Sequence, residues 1–186
     1  MDKRVGFGMR LVAALIDAVI VVIPSALFGG MLATALGLGA GALASLLEAG
    51  GETAAAAAAM GAVAGFAIGY GLFSFLYSLI EGFKGASPGK MIAGIKIGTQ
   101  DGRNAPVKVY LQRWAVKNSS TLLGTLGAFT GISLLSWLGS LAGLAVFVGC
   151  FFVLGASRQA FHDMAAKTAV YSRAELGKQE PGISGS

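Results

Sequence analysis

The sequence predicts an all-α membrane protein. The expected architecture is a four-span transmembrane helical bundle, both termini cytoplasmic, with a small cytoplasmic loop holding a strand, a turn and an interfacial amphipathic helix. Three observations predict it. Hydrophobic residues make up 55% of the 186 and charged residues only 12%, with a mean hydropathy of +0.72. A soluble domain carries about 25% charged residues, so a water-covered surface is excluded. Three stretches are almost free of charge: Leu11 to Leu47 holds only Asp17, while Thr53 to Ile80 and Asn118 to Ser157 hold none. All 14 Lys and Arg lie outside them, in residues 1–10, 81–117 and 158–186.

Positive charge resists translocation, so the three basic segments belong in the cytoplasm. A bilayer core about 30 Å thick needs about 20 helical residues. The first two stretches take one span each and the third takes two, at 11–34, 54–80, 119–135 and 138–156. Reading 119–156 as one span, or 11–47 as two, would put basic segments outside. The third span is short and rich in Ser, Thr and Gly, and a re-entrant hairpin is its alternative. One transmembrane domain covers 1–173, and 174–186 reads as a flexible tail. The opening Met-Asp-Lys-Arg is not read as a signal peptide, because Asp17 interrupts an apolar run that is too long.

Each span carries its own signals. Pro24 with Gly29-Gly30 is expected to loosen or kink the first. Residues 36–47 then extend it at a tilt or lie on the outer surface. The Ala54–Ala59 run opens the second span as good helix material. Gly61, Gly65 and Gly69 recur every four residues there, and Gly139 and Gly143 repeat the spacing in the fourth. Such stripes let helix backbones approach closely, within the monomer or between copies.

The loop between the second and third spans is patterned. Ile95 and Ile97 alternate with Lys96, giving a short strand from Gly94 to Gly98, and Asp101-Gly102 turns it back. Pro106 suits a helix first turn. Val107, Tyr110, Leu111 and Trp114 then take one helix face, with Lys108, Gln112, Arg113 and Lys117 on the other. This basic amphipathic helix is expected in the membrane interface, Trp114 at headgroup depth, either as an anchor or in contact with anionic lipid headgroups.

Within the spans, Asp17 is the only charge. A short carboxylate cannot snorkel, so it must pair, bind an ion or hold a proton. Arg10 lies seven residues earlier, on the same helix face and about 10 Å away along the axis. Asp163, just past the last span, is placed to pair with Arg10 at the cytoplasmic edge. His162 stands beside it, and one histidine makes no metal site. The lone Cys150 excludes a disulfide framework, and no cofactor is implied. Ser87, Ser157 and His162 make no recognisable catalytic arrangement. The basic charge follows the membrane rule and forms no patch for nucleic acid.

Arg10-Leu-Val-Ala-Ala-Leu-Ile-Asp17 resembles the opening of RDD-family membrane proteins, whose name stands for one arginine and two aspartates. Ser87-Pro88-Gly89-Lys90 with Ile92-Ala93-Gly94-Ile95 resembles the stretch after the family's second span. Asp101-Gly102 and Arg113 follow in order, and His162-Asp163 with Thr168-Ala169-Val170 resembles its close. The resemblance runs from about residue 6 to 171 and assigns the charged trio to Arg10, Asp17 and Asp163. Glu81, Pro88, Gly89, Lys90, Arg113, His162 and Thr168 support it. Lys167 stands where the family usually has glycine, so a less tight backbone is expected there. The resemblance implies a multi-pass protein of the bacterial cytoplasmic membrane. It favours small-ion or solute transport using Asp17, including sodium/proton exchange. The alternative is a non-catalytic adaptor or assembly factor of a larger membrane complex. A homo-oligomer or a membrane-protein partner is expected in either case.

Overall fold

The computed structural model describes residues 3–47 and 50–177. Of the tail expected at 174–186, residues 174–177 form a turn and 178–186 lie outside the described residues. The elements in chain order are α1 (Phe7–Leu46), α2 (Gly51–Lys84), α3 (Pro88–Ile92), β1 (Ile95–Thr99), α4 (Val107–Lys117), α5 (Ser119–Thr130), α6 (Ser133–Cys150), a 3-10 turn (Phe151–Leu154), α7 (Phe161–Ala165) and β2 (Thr168–Ser172). Three helical stretches are long and apolar enough to cross a membrane: Phe7–Ser45, Gly51–Lys84 and Ser133–Leu154. They overlap the first, second and fourth expected spans.

The third expected span differs. Its helix α5 has 12 residues, about 18 Å of rise, where a bilayer core is about 30 Å thick. Gly131, at φ 70° in the left-handed region, ends it. A glycine there lets the chain reverse without a Cβ clash, and α6 starts two residues later. α5 and α6 form a hairpin packed through small residues. A Cβ on Gly139 would stand 2.9 Å from the Ser120 carbonyl oxygen, and one on Gly143 2.8 Å from Ser120 Oγ.

α1 runs on as one helix to Leu46, the extension that was one of the two readings of residues 36–47. It passes through Pro24 without ending, although a proline inside a helix removes one backbone N–H bond.

By its internal contacts the chain divides into two units, residues 16–78 and residues 1–15 with 79–186. In the first, α1 and α2 pack antiparallel through the predicted glycine stripe. A Cβ on Gly61 or Gly65 would overlap the Leu36 or Leu32 carbonyl, and one on Gly69 would stand 2.8 Å from the Gly29 Cα. The stripe is therefore taken up by α1 of the same chain, which is the intramolecular reading of the spacing. Ser25 is fully buried and shares a hydrogen bond of 3.3 Å with Ser74 Oγ. An apolar groove of about 530 Å³ lies along Gly37, Gly41, Ala58 and Ala62.

The second unit joins three distant chain segments. β1 and β2 pair antiparallel, Ile95 opposite Ser172 and Thr99 opposite Thr168. The far edge of β2 takes the N-terminal arm: Arg4 bridges Tyr171, and the Val5 N–H donates to the Val170 carbonyl at 2.8 Å. Ala13, Ile95, Ile97, Ala105, Tyr110 and Val170 form the core. β1 and the turn at Gly102 match the sequence reading. β2 is an element that reading did not name.

α4 is where it was expected but faces differently. Tyr110, Arg113 and Trp114 are its buried residues, while Val107 is 48% exposed. Trp114 packs over Gly82, and Tyr110 over Gly85, where a Cβ would meet their rings. The helix is docked on the end of α2 by the buried Trp114 ring.

Candidate functional site: a buried charge cluster

Two carboxylates organise the second unit. Glu81, 3% exposed, sits in the last turn of α2 and points into the body. It accepts from Lys90 Nζ and Arg113 Nη1 and from Lys117 Nζ at 2.6 Å. Asp163 is fully buried. It accepts from Arg113 Nε at 2.7 Å, from Arg10 Nη1 at 2.5 Å and from the Ala160 N–H at 3.1 Å. Arg113 bridges the two acids with a different edge of its guanidinium toward each. A rigid fork of five donors is suited to that role, and a lysine is not.

Local sequence places each group. Ser87 caps α3, its Oγ accepting from the Lys90 N–H at 3.4 Å, with Pro88 in the first turn. Such a cap satisfies a donor that a helix start leaves unpaired. Gly89, buried, accepts from the Ala93 N–H at 2.9 Å through its carbonyl. The cap and the proline thereby aim Lys90 back at Glu81. Arg113 and Lys117 are four residues apart on α4 and share one face. Asp163 is held by its own N-terminal turn, and Thr168 Oγ1 donates to the Asp163 carbonyl at 3.2 Å. Arg10 also donates to the Arg158 carbonyl at 2.8 Å and the Val5 carbonyl at 3.3 Å.

Lys167 corrects the looser backbone expected there. Its φ is 52°, the left-handed conformation that glycine takes without a Cβ penalty. The turn is tight, and lysine occupies it under strain of about 1 kcal/mol or more.

The electrostatics follow from burial and partners. Burial alone would raise the Asp163 carboxyl, but Arg113 and Arg10 hold it well below the usual carboxylate range. Burial lowers the Lys90 ammonium to about 8, against the opposing pull of Glu81. Burial would lower Arg113, yet Asp163 and Glu81 keep it charged and raise it. His162 is pushed down to about 3, by burial first and by Arg113 next. It is therefore neutral at physiological pH. Its Nε2 stands 3.6 Å from Asp163 Oδ1, too long for a hydrogen bond, and its Nδ1 is buried without a partner.

Of the predicted trio, the structure joins Arg10 to Asp163 directly. Asp17 belongs to the other unit, where it is half-buried and accepts from Tyr77 Oη at 2.6 Å. Among the supporting residues, Glu81, Lys90 and Arg113 enter the cluster itself. Pro88, Gly89, His162 and Thr168 border it. Sequence reasoning missed Tyr77 as the partner of Asp17. It also missed Lys117 as a third cation on Glu81, although its spacing from Arg113 was a usable signal. Among the described residues no group of three or more His, Cys, Asp or Glu side chains converges as a metal site would. Chemically the cluster is an ion network in which Arg113 joins the two acids and Lys90, Lys117 and Arg10 complete their pairing.

The sequence matches the family described as RDD family over residues 4–167. No curated protein and no solved structure matches the chain.

Proposed function

This chain belongs to the RDD family, and we propose that within it the protein is a non-catalytic membrane adaptor whose charged cluster is a structural clasp. The observation that carries this is Asp163, fully buried and shared between Arg10 and Arg113. One carboxylate thereby ties the start of α1 to the loop helix α4 and to the segment after α6. A proton or cation carrier must change its charge state in each cycle. A carboxylate held this far down, with two arginines on it, stays ionised throughout. The body it closes stands at the bacterial cytoplasmic membrane with both termini inside, a placement supported by its seven bases between residues 81 and 117. There it presents a folded basic surface to a membrane-protein partner or a second copy.

Asp17 favours a second reading. An acid within a span, held by a tyrosine hydroxyl that can donate or accept, has the parts of a protonatable site for small-ion or solute transport, sodium/proton exchange included.

Two variants separate the readings. In the adaptor reading, Asp163→Asn lowers membrane abundance and the recovery of a stoichiometric partner in mild detergent. Asp17→Asn then leaves cation-dependent proton flux in proteoliposomes unchanged. Flux that is present in the wild type and lost in Asp17→Asn, with no partner recovered, overturns the adaptor reading and establishes transport.

A further inference from the structure

The clasp holds more positive charge than it neutralises. Among the described residues Arg10, Lys90, Arg113 and Lys117 converge on two carboxylates, Glu81 and Asp163. His162 beside them is neutral and adds no charge. Burying cations without matching anions is costly, so such a group recruits a counter-charge. The donors are also in surplus. An ammonium has three N–H groups, and Lys90 and Lys117 each donate one to Glu81.

The surplus has an opening. The Lys90 side chain is 12% exposed and that of Lys117 is 39% exposed, while Arg113 is closed off at 3%. Lys117 is the last residue of α4, and Ser119 begins the apolar α5–α6 hairpin. The ammonium therefore stands where the chain passes from a basic body into a charge-free segment of 118–157. In a membrane protein that junction is at headgroup depth.

We infer that Lys90 and Lys117 form the rim of a binding site for an anionic phosphate group. Two ammoniums seated on the two oxygens of one carboxylate are close enough for the oxygens of a phosphate to bridge. Lys117 meets the ligand from the open side and Lys90 from beneath. The headgroup phosphate of an anionic lipid and free phosphate in the cytosol share this chemistry. This inference rests on the placement of the body at the membrane face.

The test uses the full chain in nanodiscs. The probes are phosphatidylglycerol diluted into phosphatidylcholine, and inorganic phosphate added to phosphatidylcholine alone. Lipid adducts counted by native mass spectrometry and the melting temperature are the readouts. A bound headgroup shows as retained phosphatidylglycerol that inorganic phosphate does not displace. Displacement by inorganic phosphate, with the same rise in melting temperature, identifies the soluble anion. In either arm Lys117→Gln weakens binding about fivefold, the effect of one base near an anionic surface. Lys117→Arg, which keeps the charge, retains it even if the neutral variant folds poorly. Lys108→Gln, an exposed base earlier on α4, leaves binding unchanged. Binding of neither probe, or equal losses from Lys108→Gln and Lys117→Gln, overturns the site. Failure of the adaptor reading shows differently, as lost partner recovery with lipid binding intact.

Discussion

His162 shows how far one side chain depends on residues remote in sequence. Beside Asp163 in the chain, it reads as a group that titrates near neutral pH. In the structure burial disfavours its charged form most, and Arg113, Lys117 and Lys90 add to that from other elements. Only Asp163 opposes them. Its folded pKa of about 3 lies below the usual 6.5. As pH falls, the unfolded chain takes up this proton first. His162 therefore costs nothing above about pH 6.5, and stability drops as pH falls from there toward 3. The loss expected by pH 5 is about 2 kcal/mol. In His162→Phe, which has no proton to gain, the melting temperature should hold steady between pH 6.5 and 5. A wild-type curve equally flat over that window would refute the assignment. Arg113 makes the same point about legibility. A helical projection put it on the water face because it is charged. It is buried because Glu81 and Asp163, 32 and 50 residues away in the chain, supply the partners that make burial affordable.

At the scale of elements, periodicity was reliable where one helix meets one neighbour. The spacing of Gly61, Gly65 and Gly69 announced a close helix contact, and α1 fills it. Its energetic weight can be measured by contrast. A Cβ at Gly65 would overlap the Leu32 backbone, whereas one at Gly71 meets nothing within 4 Å. Gly65→Ala should force α1 and α2 apart and cost about 1–3 kcal/mol. Gly71→Ala should be neutral or slightly stabilising, since alanine is the better helix former. Steric-trap unfolding or detergent melting of both variants checks this, and similar values for the two would refute the packing. Strands were less legible. β1 alternates Ile95, Lys96 and Ile97 and shows itself. β2 is buried from Thr168 to Tyr171, so it has no alternation to read. It also follows a five-residue helix too short to show a period. Its strand character comes from β1 on one edge and the N-terminal arm on the other.

At the scale of the molecule, charge distribution named the membrane and grouped the basic segments. The number of crossings was harder to read, because apolar length alone does not say where a helix ends. Gly131, in the left-handed region, ends α5 after 12 residues. The second unit supplies what the apolar count lacked. The N-terminal arm, the loop from 85 to 117 and the segment after Ser157 are held in it by strand pairing and by the two carboxylates. All three must lie on one side of any bilayer. Within this unit the α5–α6 hairpin runs between Lys117 and Phe161. Its first leg rises about 18 Å, less than the hydrocarbon thickness of about 30 Å. Its tip, at Phe129 and Thr130, should therefore stop within the bilayer. Single cysteines introduced into Cys150→Ser test this with a membrane-impermeant maleimide on oriented vesicles. Lys108→Cys and Glu175→Cys should label from the same side, and Thr130→Cys from neither. Labelling of Thr130→Cys from the opposite side would restore a full crossing at 119–135. Labelling of Lys108→Cys and Glu175→Cys from opposite sides would break the clasp itself, since Asp163 could not then be bonded to Arg113.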